Sequence, residues 1–251
     1  MEVVSTDFNG FGKIPRLSRP IVITEKLDGT NGQINIFEIL PGTNLLEYLN
    51  NVYVFIVDEA TYGVPGKTTP GKKYGVMAGS RNRWIAPGDD NYGFAKWVWE
   101  NARQLVALLG EGRHYGEWWG QGIQRKYGKT EKTFSLFNTK RWNLENLHEP
   151  EMDWAPIVPQ LSVVPTLYEG EFTTERVEWT LEALRDGGSF AAPGFMNPEG
   201  IIIYHTAGNL LPSNRQSIRI NHHNNRKKVT TMRELSTADK ARLLIRARFD
   251  S

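Results

Sequence analysis

The chain has 251 residues, 30 Lys+Arg against 28 Asp+Glu and no cysteine, which excludes disulfides, thiolate metal sites and cysteine nucleophiles together. Its 39% hydrophobic content is dispersed, with no apolar run near the ~20 residues that span a bilayer. Met1–Asp7 carries acids and no apolar segment of the signal-peptide kind, so a soluble, cytoplasmic protein with one sizeable core is the expectation.

In chain order, Pro20–Glu25 reads as a strand, followed by a tight turn over Asp28-Gly29-Thr30-Asn31-Gly32 and a second, alternating strand over Gln33–Glu38. Asn51–Val57 is a further strand, and residues 60–75 lack periodicity and read as a mobile loop. A helix is expected from about Tyr92 to Leu109, with Phe94, Trp97, Asn101, Leu105 and Leu108 near one face and Gly110 as its stop. His114–Trp119 and Thr133–Phe137 add two strands, and Glu175–Asp186 is a second helix closed by Gly187-Gly188. Gly200–Tyr204 is apolar on both faces, which suits a central strand, and a last helix runs from Ser236 to about Arg248. Strands with intercalated helices imply an α+β fold with largely antiparallel sheets.

Charge is unevenly spread. Ser213–Ser251 holds ten Lys/Arg against three Asp/Glu, a local +7, which leaves residues 1–212 at −5. A basic end on an acidic chain suits a polyanionic partner, or else a solvated amphipathic tail.

The segment with most chemical content is Glu25-Lys26-Leu27-Asp28-Gly29-Thr30-Asn31-Gly32, a lysine at a strand end entering a glycine turn. A lysine amine attacks phosphorus only when unprotonated, and burial beside other cations favours that form. On its own the segment reads more readily as a hairpin turn with a solvated lysine.

Further along, Gly79-Ser80-Arg81-Asn82-Arg83, His114–Gly120, Phe134-Ser135-Leu136-Phe137-Asn138 and Pro198–Ile203 follow in order. With the lysine segment they resemble motifs I, Ia, III, IIIa and IV of the covalent nucleotidyltransferases, the polynucleotide ligases and messenger-RNA capping enzymes. Within that superfamily the chain is most similar to the ATP-dependent RNA ligases of the RNA ligase 2 group and its phage relatives, over roughly residues 20–205.

The resemblance implies that Lys26 takes AMP from ATP as a phosphoramide, with Asp28 and Gly29 shaping its turn and Asn31 close to the reacting phosphate. Arg81 would give a forked cation to phosphate oxygens, where the bland alternative is a surface ion pair. Glu117 would accept from a ribose hydroxyl, and Phe137 would stack on adenine, the alternatives being a locally satisfied carboxylate and an ordinary core ring. Glu25 is a candidate for the adenine amino group, or a solvent carboxylate. Glu199 is the expected ligand of Mg²⁺ or Mn²⁺, since magnesium keeps several waters and needs one or two carboxylates. His114 and Glu117, three apart on a strand, point to opposite faces and make a poor metal pair.

One element departs from the family. No Lys-x-Lys follows Glu199, so Arg219, flanked by Ile218 and Ile220, or Lys227-Lys228 would take its place, or the segment is a basic loop. Arg226, Lys227 and Lys228 are the expected phosphate contacts to nucleic acid. The expectation is thus a single nucleotidyltransferase domain over 1–251 without an OB domain, monomeric, joining 5′-phosphate and 3′-hydroxyl ends of RNA or RNA/DNA, a nicked duplex first among them, through lysyl-AMP. The alternatives are a DNA ligase or an end-binding module deficient in adenylylation.

Overall fold

The computed structural model describes residues 20–43, 53–58, 72–144, 147, 158–206 and 215–219. The expected helix from Ser236, together with Arg226, Lys227 and Lys228, lies outside them. No described helix is long and apolar enough to cross a membrane.

Two sheets form. In the smaller, β1 (Pro20–Lys26) lies between β9 (Thr166–Glu171) and β10 (Gly200–His205), and β11 (Arg215–Arg219) pairs with β10 on the outside. The larger has the order β3 (Phe55–Asp58), β4 (Lys73–Gly79), β2 (Thr30–Ile39), β6 (Gly112–Gly120), β7 (Lys132–Leu136), β8 (Leu161–Val163), with the short β5 (Trp84–Ile85) also on β4. Every pair is antiparallel except β7–β8. The α+β class and the central place of Gly200–His205 agree with the sequence reading.

Three local expectations change. Thr30–Gly32 belongs to β2, not to a turn, because these residues pair with Gly116–Trp118 of β6. The chain therefore crosses from one sheet to the other at Leu27–Gly29 instead of folding back as a hairpin. Residues 73–75 of the expected loop are the start of β4. The single helix over 92–109 is two, α1 (Phe94–Glu100) and α2 (Ala102–Leu109). At the break, the buried Asn101 amide donates to the Trp97 carbonyl at 2.8 Å, the back-bonding that competes with a helix ladder. Asp90 caps α1, accepting from the Ala95 and Lys96 N–H groups at 2.7 and 3.0 Å.

Burial follows strand alternation. One face of the larger sheet (Ile34, Ile36, Trp118, Phe134, Leu136) packs on α1 and α2, with the Phe94, Trp97, Trp118 and Phe134 ring centroids 4.8–5.9 Å apart. Gly32 is required there, because a Cβ would lie 2.7 Å from the Phe94 ring and 2.9 Å from Phe134. In the smaller sheet Ile21, Ile23, Ile201 and Ile203 pack on α3 (Thr174–Gly187) through Val177 and Leu184. The Thr173 hydroxyl caps α3 by accepting from the Arg176 N–H at 3.2 Å. A third cluster, Leu27, Trp119, Tyr127, Val164 and Ala192, sits where the chain crosses between sheets. It fixes the far end of the crossing that begins with Lys26.

Candidate active site

The alternation that sends Ile21, Ile23 and Glu25 toward α3 sends Lys26 to the other face of β1. Lys26 stands opposite Gly200 on β10, and its Nζ donates to Oε2 of Glu199, the residue just before that strand. The lysine side chain is 20% exposed and the carboxylate 4%, so this ion pair is largely withdrawn from water. Lys26 and Glu199, 173 positions apart, are brought together.

The turn after Lys26 is held from the larger sheet. The Gly29 N–H donates to Glu117 Oε1 at 3.2 Å, and the Asn31 amide donates to Oε2 at 2.8 Å. Asn31 and Glu117 are direct cross-strand partners. No side chain fits at Gly29, where a Cβ would overlap the Trp118 carbonyl and lie 2.7 Å from Trp119 Cβ. Burial pushes the Glu117 carboxyl up from 4.5 to about 7, against the Lys26 charge and the two donors, which favour the anion. His114, on the opposite face of β6, is buried and donates to the Gly110 carbonyl at 3.0 Å. Burial lowers it from 6.5 to about 4.

Three further residues, which sequence reasoning missed, lock this turn. Arg125 Nε donates to Asp28 Oδ2 at 2.8 Å, while its NH1 donates to the Asn197 backbone and side-chain oxygens at 3.1 and 2.9 Å. The Asp28 N–H donates to the Tyr127 hydroxyl at 2.9 Å. Arg125 thus ties the loop after Lys26 to the loop that leads into Glu199. Tyr127 is buried against Trp119 and Phe195, with centroids 4.9 and 4.6 Å away. Gln124, Lys126 and Tyr127 have φ of 41, 61 and 52°, left-handed values that non-glycine residues seldom adopt and that cluster at functional sites. The Gln-Arg-Lys-Tyr-Gly run gives no local pattern from which this could be read.

The remaining expected residues are dispersed. The Glu25 carboxylate, buried and raised by that burial, accepts from the Ser189 hydroxyl at 2.6 Å and the Phe190 and Ala191 N–H groups at 2.9 and 3.0 Å. It lies on the α3 side of β1, away from Lys26. Arg81 is exposed, without a hydrogen bond or ion pair among the described residues. Its turn is anchored by Gln33, whose amide donates to the Ser80 carbonyl at 3.0 Å. Phe137 follows β7, half-buried against the Trp119–Tyr127 cluster, and its N–H donates to the Tyr115 carbonyl at 2.9 Å. The backbone of Arg219 stands opposite Gly200, which stands opposite Lys26.

The donor set suits a hydrated divalent cation. Among the described residues no group of three His, Asp or Glu side chains gathers, but magnesium binds through one or two carboxylates plus substrate phosphates. Glu199 offers one, buried beside the lysine, with Glu117 close enough to feel the charges of both.

The family model described as RNA ligase matches residues 19–228. A Naegleria gruberi RNA ligase variant with ATP and Mn is 15% identical, at a TM-score of 0.46, covering 82% of this chain and 51% of that one. The Naegleria gruberi RNA ligase with PPi is 15% identical at 0.45, covering 80% and 50%. The chain therefore spans about half the length of these solved relatives. No curated protein sequence matches.

Proposed function

We propose that this chain, which belongs to the RNA ligase family over residues 19–228, seals RNA ends with ATP through a lysyl-AMP intermediate. The observation that carries the reading is the buried Lys26–Glu199 pair at the sheet crossing, with Gly29, Asn31 and Glu117 joined beside it.

Lys26 Nζ, once it has shed its proton, attacks the α-phosphorus of ATP. The N–P bond forms, and the bond from that phosphorus to the pyrophosphate oxygen breaks. AMP then passes to an RNA 5′-phosphate, and a 3′-hydroxyl displaces it as the phosphodiester forms. When bound at Glu199, a divalent cation would favour the neutral amine and offset phosphate charge.

The chain's own residues supply placement, which is most of the catalysis in phosphoryl transfer. Asp28, clamped by Arg125, and Gly29, clamped by Glu117, fix where the lysine begins. Glu117 accepts from the ribose, Phe137 stacks on the base, and Arg81 and Arg219 hold phosphate oxygens. Glu25 acts from behind, fixing the Ser189–Ala191 turn that leads toward Asn197 and Glu199. Arg226, Lys227 and Lys228 add phosphate contacts. The protein works as a cytoplasmic monomer on RNA or RNA/DNA ends, a nicked duplex among them.

Incubation with α-labelled ATP and Mg²⁺, followed by denaturing electrophoresis, tests this. Label stays on the wild-type protein and is absent from Lys26→Ala. Label on the variant ends the assignment of Lys26. RNA binding by a wild-type protein that never labels would leave an end-binding module.

A further inference from the structure

The face of the larger sheet that carries Asn31 and Glu117 continues away from Lys26. Register places Trp84, Gly79, Gln33 and Tyr115 in one cross-strand row, and Phe137 joins it through its hydrogen bond to Tyr115. At about 4.8 Å per strand the row is ~19 Å wide. The next row outward holds Met77, Asn35 and Arg113.

Along β6 this face passes from packed to open. Trp119 is 1% exposed and Glu117 8%, whereas Tyr115 is 40% exposed and Arg113 lies beyond it in solvent. The Arg113 guanidinium sits 5.7 Å from the centroid of the Trp84 ring, and Arg81 projects from the turn just before Trp84. Gly79 leaves β4 without a side chain in this row, because Gln33 lies over it. Most strand aromatics pack into a core. These two lie on the face opposite the core, beside two arginines.

We infer that this outer end of the site face, Tyr115 and Trp84 with Arg113 and Arg81, binds the unpaired nucleotides adjoining the RNA end that Lys26 processes. An exposed ring, Tyr115, and a half-buried one, Trp84, among arginines match a single strand, whose bases offer free π-faces and whose phosphates are anionic. In a duplex the bases are already stacked on one another. Tyr115 and Arg113 lie two and four residues from Glu117, about 7 and 13 Å along the strand, the reach of the first nucleotides behind the end. The inference rests on the RNA ligase reading and adds the strandedness of the substrate.

The test is fluorescence anisotropy at several salt concentrations, with a short 5′-phosphorylated single-stranded RNA, the same end in a blunt duplex and an acidic peptide. Wild type, Tyr115→Ala, Tyr115→Phe and Arg113→Ala are compared, and labelling by ATP is followed on the same preparations. We expect Tyr115→Ala to weaken single-strand binding about tenfold with an unchanged salt slope, the size of one lost base stack, and Tyr115→Phe to retain affinity. Arg113→Ala should lower the salt slope by about 0.7, as for one phosphate contact on a single strand. Equal single-strand affinity in Tyr115→Ala and wild type overturns the inference. So does tighter wild-type binding of the duplex or the peptide, or no RNA binding at all. Absent ATP labelling with the expected binding losses would instead refute the ligase reading and leave this surface standing.

Discussion

Arg125 is the residue whose loss should separate folding from chemistry. It gives one hydrogen bond to the Asp28 carboxylate and two to Asn197, and so couples the lysine turn to the loop carrying Glu199. Arg125→Ala removes an ion pair whose two side chains are each 26% exposed. A charge-assisted hydrogen bond to a fully buried group contributes about 1.5–3 kcal/mol, and partial solvation discounts that to roughly 1–2 kcal/mol here. For a chain of this size the melting temperature should fall by about 2–8 °C. The chemical effect should be larger than the stability effect. Without the clamp Asp28 and Asn197 are free to shift, and a misplacement of about 1 Å costs on the order of a hundredfold.

Single-turnover lysyl-AMP formation across an ATP titration, beside thermal unfolding, reads both quantities. The maximal rate should drop about a hundredfold while the ATP concentration for half-maximal rate moves little, since no phosphate, base or ribose contact is assigned to Arg125. Arg125→Lys should recover much of the stability but little of the rate, because one ammonium cannot reach Asp28 and Asn197 together as a forked guanidinium does. A rate loss no larger than the fraction of protein unfolded would refute the positioning role.

Gly29→Ala should cost ~1–3 kcal/mol or more, since its Cβ meets the Trp118 backbone, which cannot rotate away; chemical denaturation checks this, and an unchanged midpoint contradicts it. Glu199→Ala should lower metal-dependent adenylylation by about two orders of magnitude; near-normal rates across a magnesium titration would make Glu199 merely a strand-entry residue. Glu117, raised from 4.5 to about 7, holds a proton in the folded protein that the unfolded chain releases, so its contribution is full below pH 4.5 and declines as pH rises through 7, by at most about 3 kcal/mol. Melting curves over that range should show Glu117→Gln gaining on wild type as pH rises, and parallel profiles would contradict the buried-acid reading.

The strands legible in the sequence are those whose composition matches their surroundings. β1 and β10 are rich in isoleucine because both pack on α3, and Trp118 of β6 and Phe134 of β7 are aromatic where the inner face meets α1. β4, Lys-Tyr-Gly-Val-Met-Ala-Gly, was hidden because two of its positions are glycine. Phe37 lies over Gly75 and Gln33 over Gly79, so the side chains marking that face come from β2. The signal of β4 is thus written on another strand, which local periodicity cannot detect. The Asn101 break is different. Its cause, an asparagine inside a helical pattern, stands in the sequence, but only burial decides whether its amide turns back to the helix or out to water.

The site divides along a similar line. Lys26, Gly29, Asn31, Glu117 and Glu199 were singled out through the ordered motifs, although Asn31 was expected in a turn and instead pairs with Glu117 across strands. Arg125 and Tyr127 were not, because the left-handed backbone around them is a consequence of tertiary packing. The departure from Lys-x-Lys now has a definite register. Ile218 stands opposite Ile201, and Ser217 and Arg219 stand opposite Ile202 and Gly200, in the same alternation as Lys26. Under the proposed reading, in which Arg219 rather than Lys227-Lys228 replaces the lysines, Ser217-Ile218-Arg219 would be the matching strand positions, with one cation where the family pattern has two. An arginine can hold a phosphate through two parallel hydrogen bonds but does not give up a proton near neutral pH. If Arg219 fills the place proposed for it, it would serve charge and orientation, and proton movement around the α-phosphate would have to run without it. Loss of Arg219 should thus slow adenylylation at every pH alike, whereas a lysine in that place would impose its own titration on the rate.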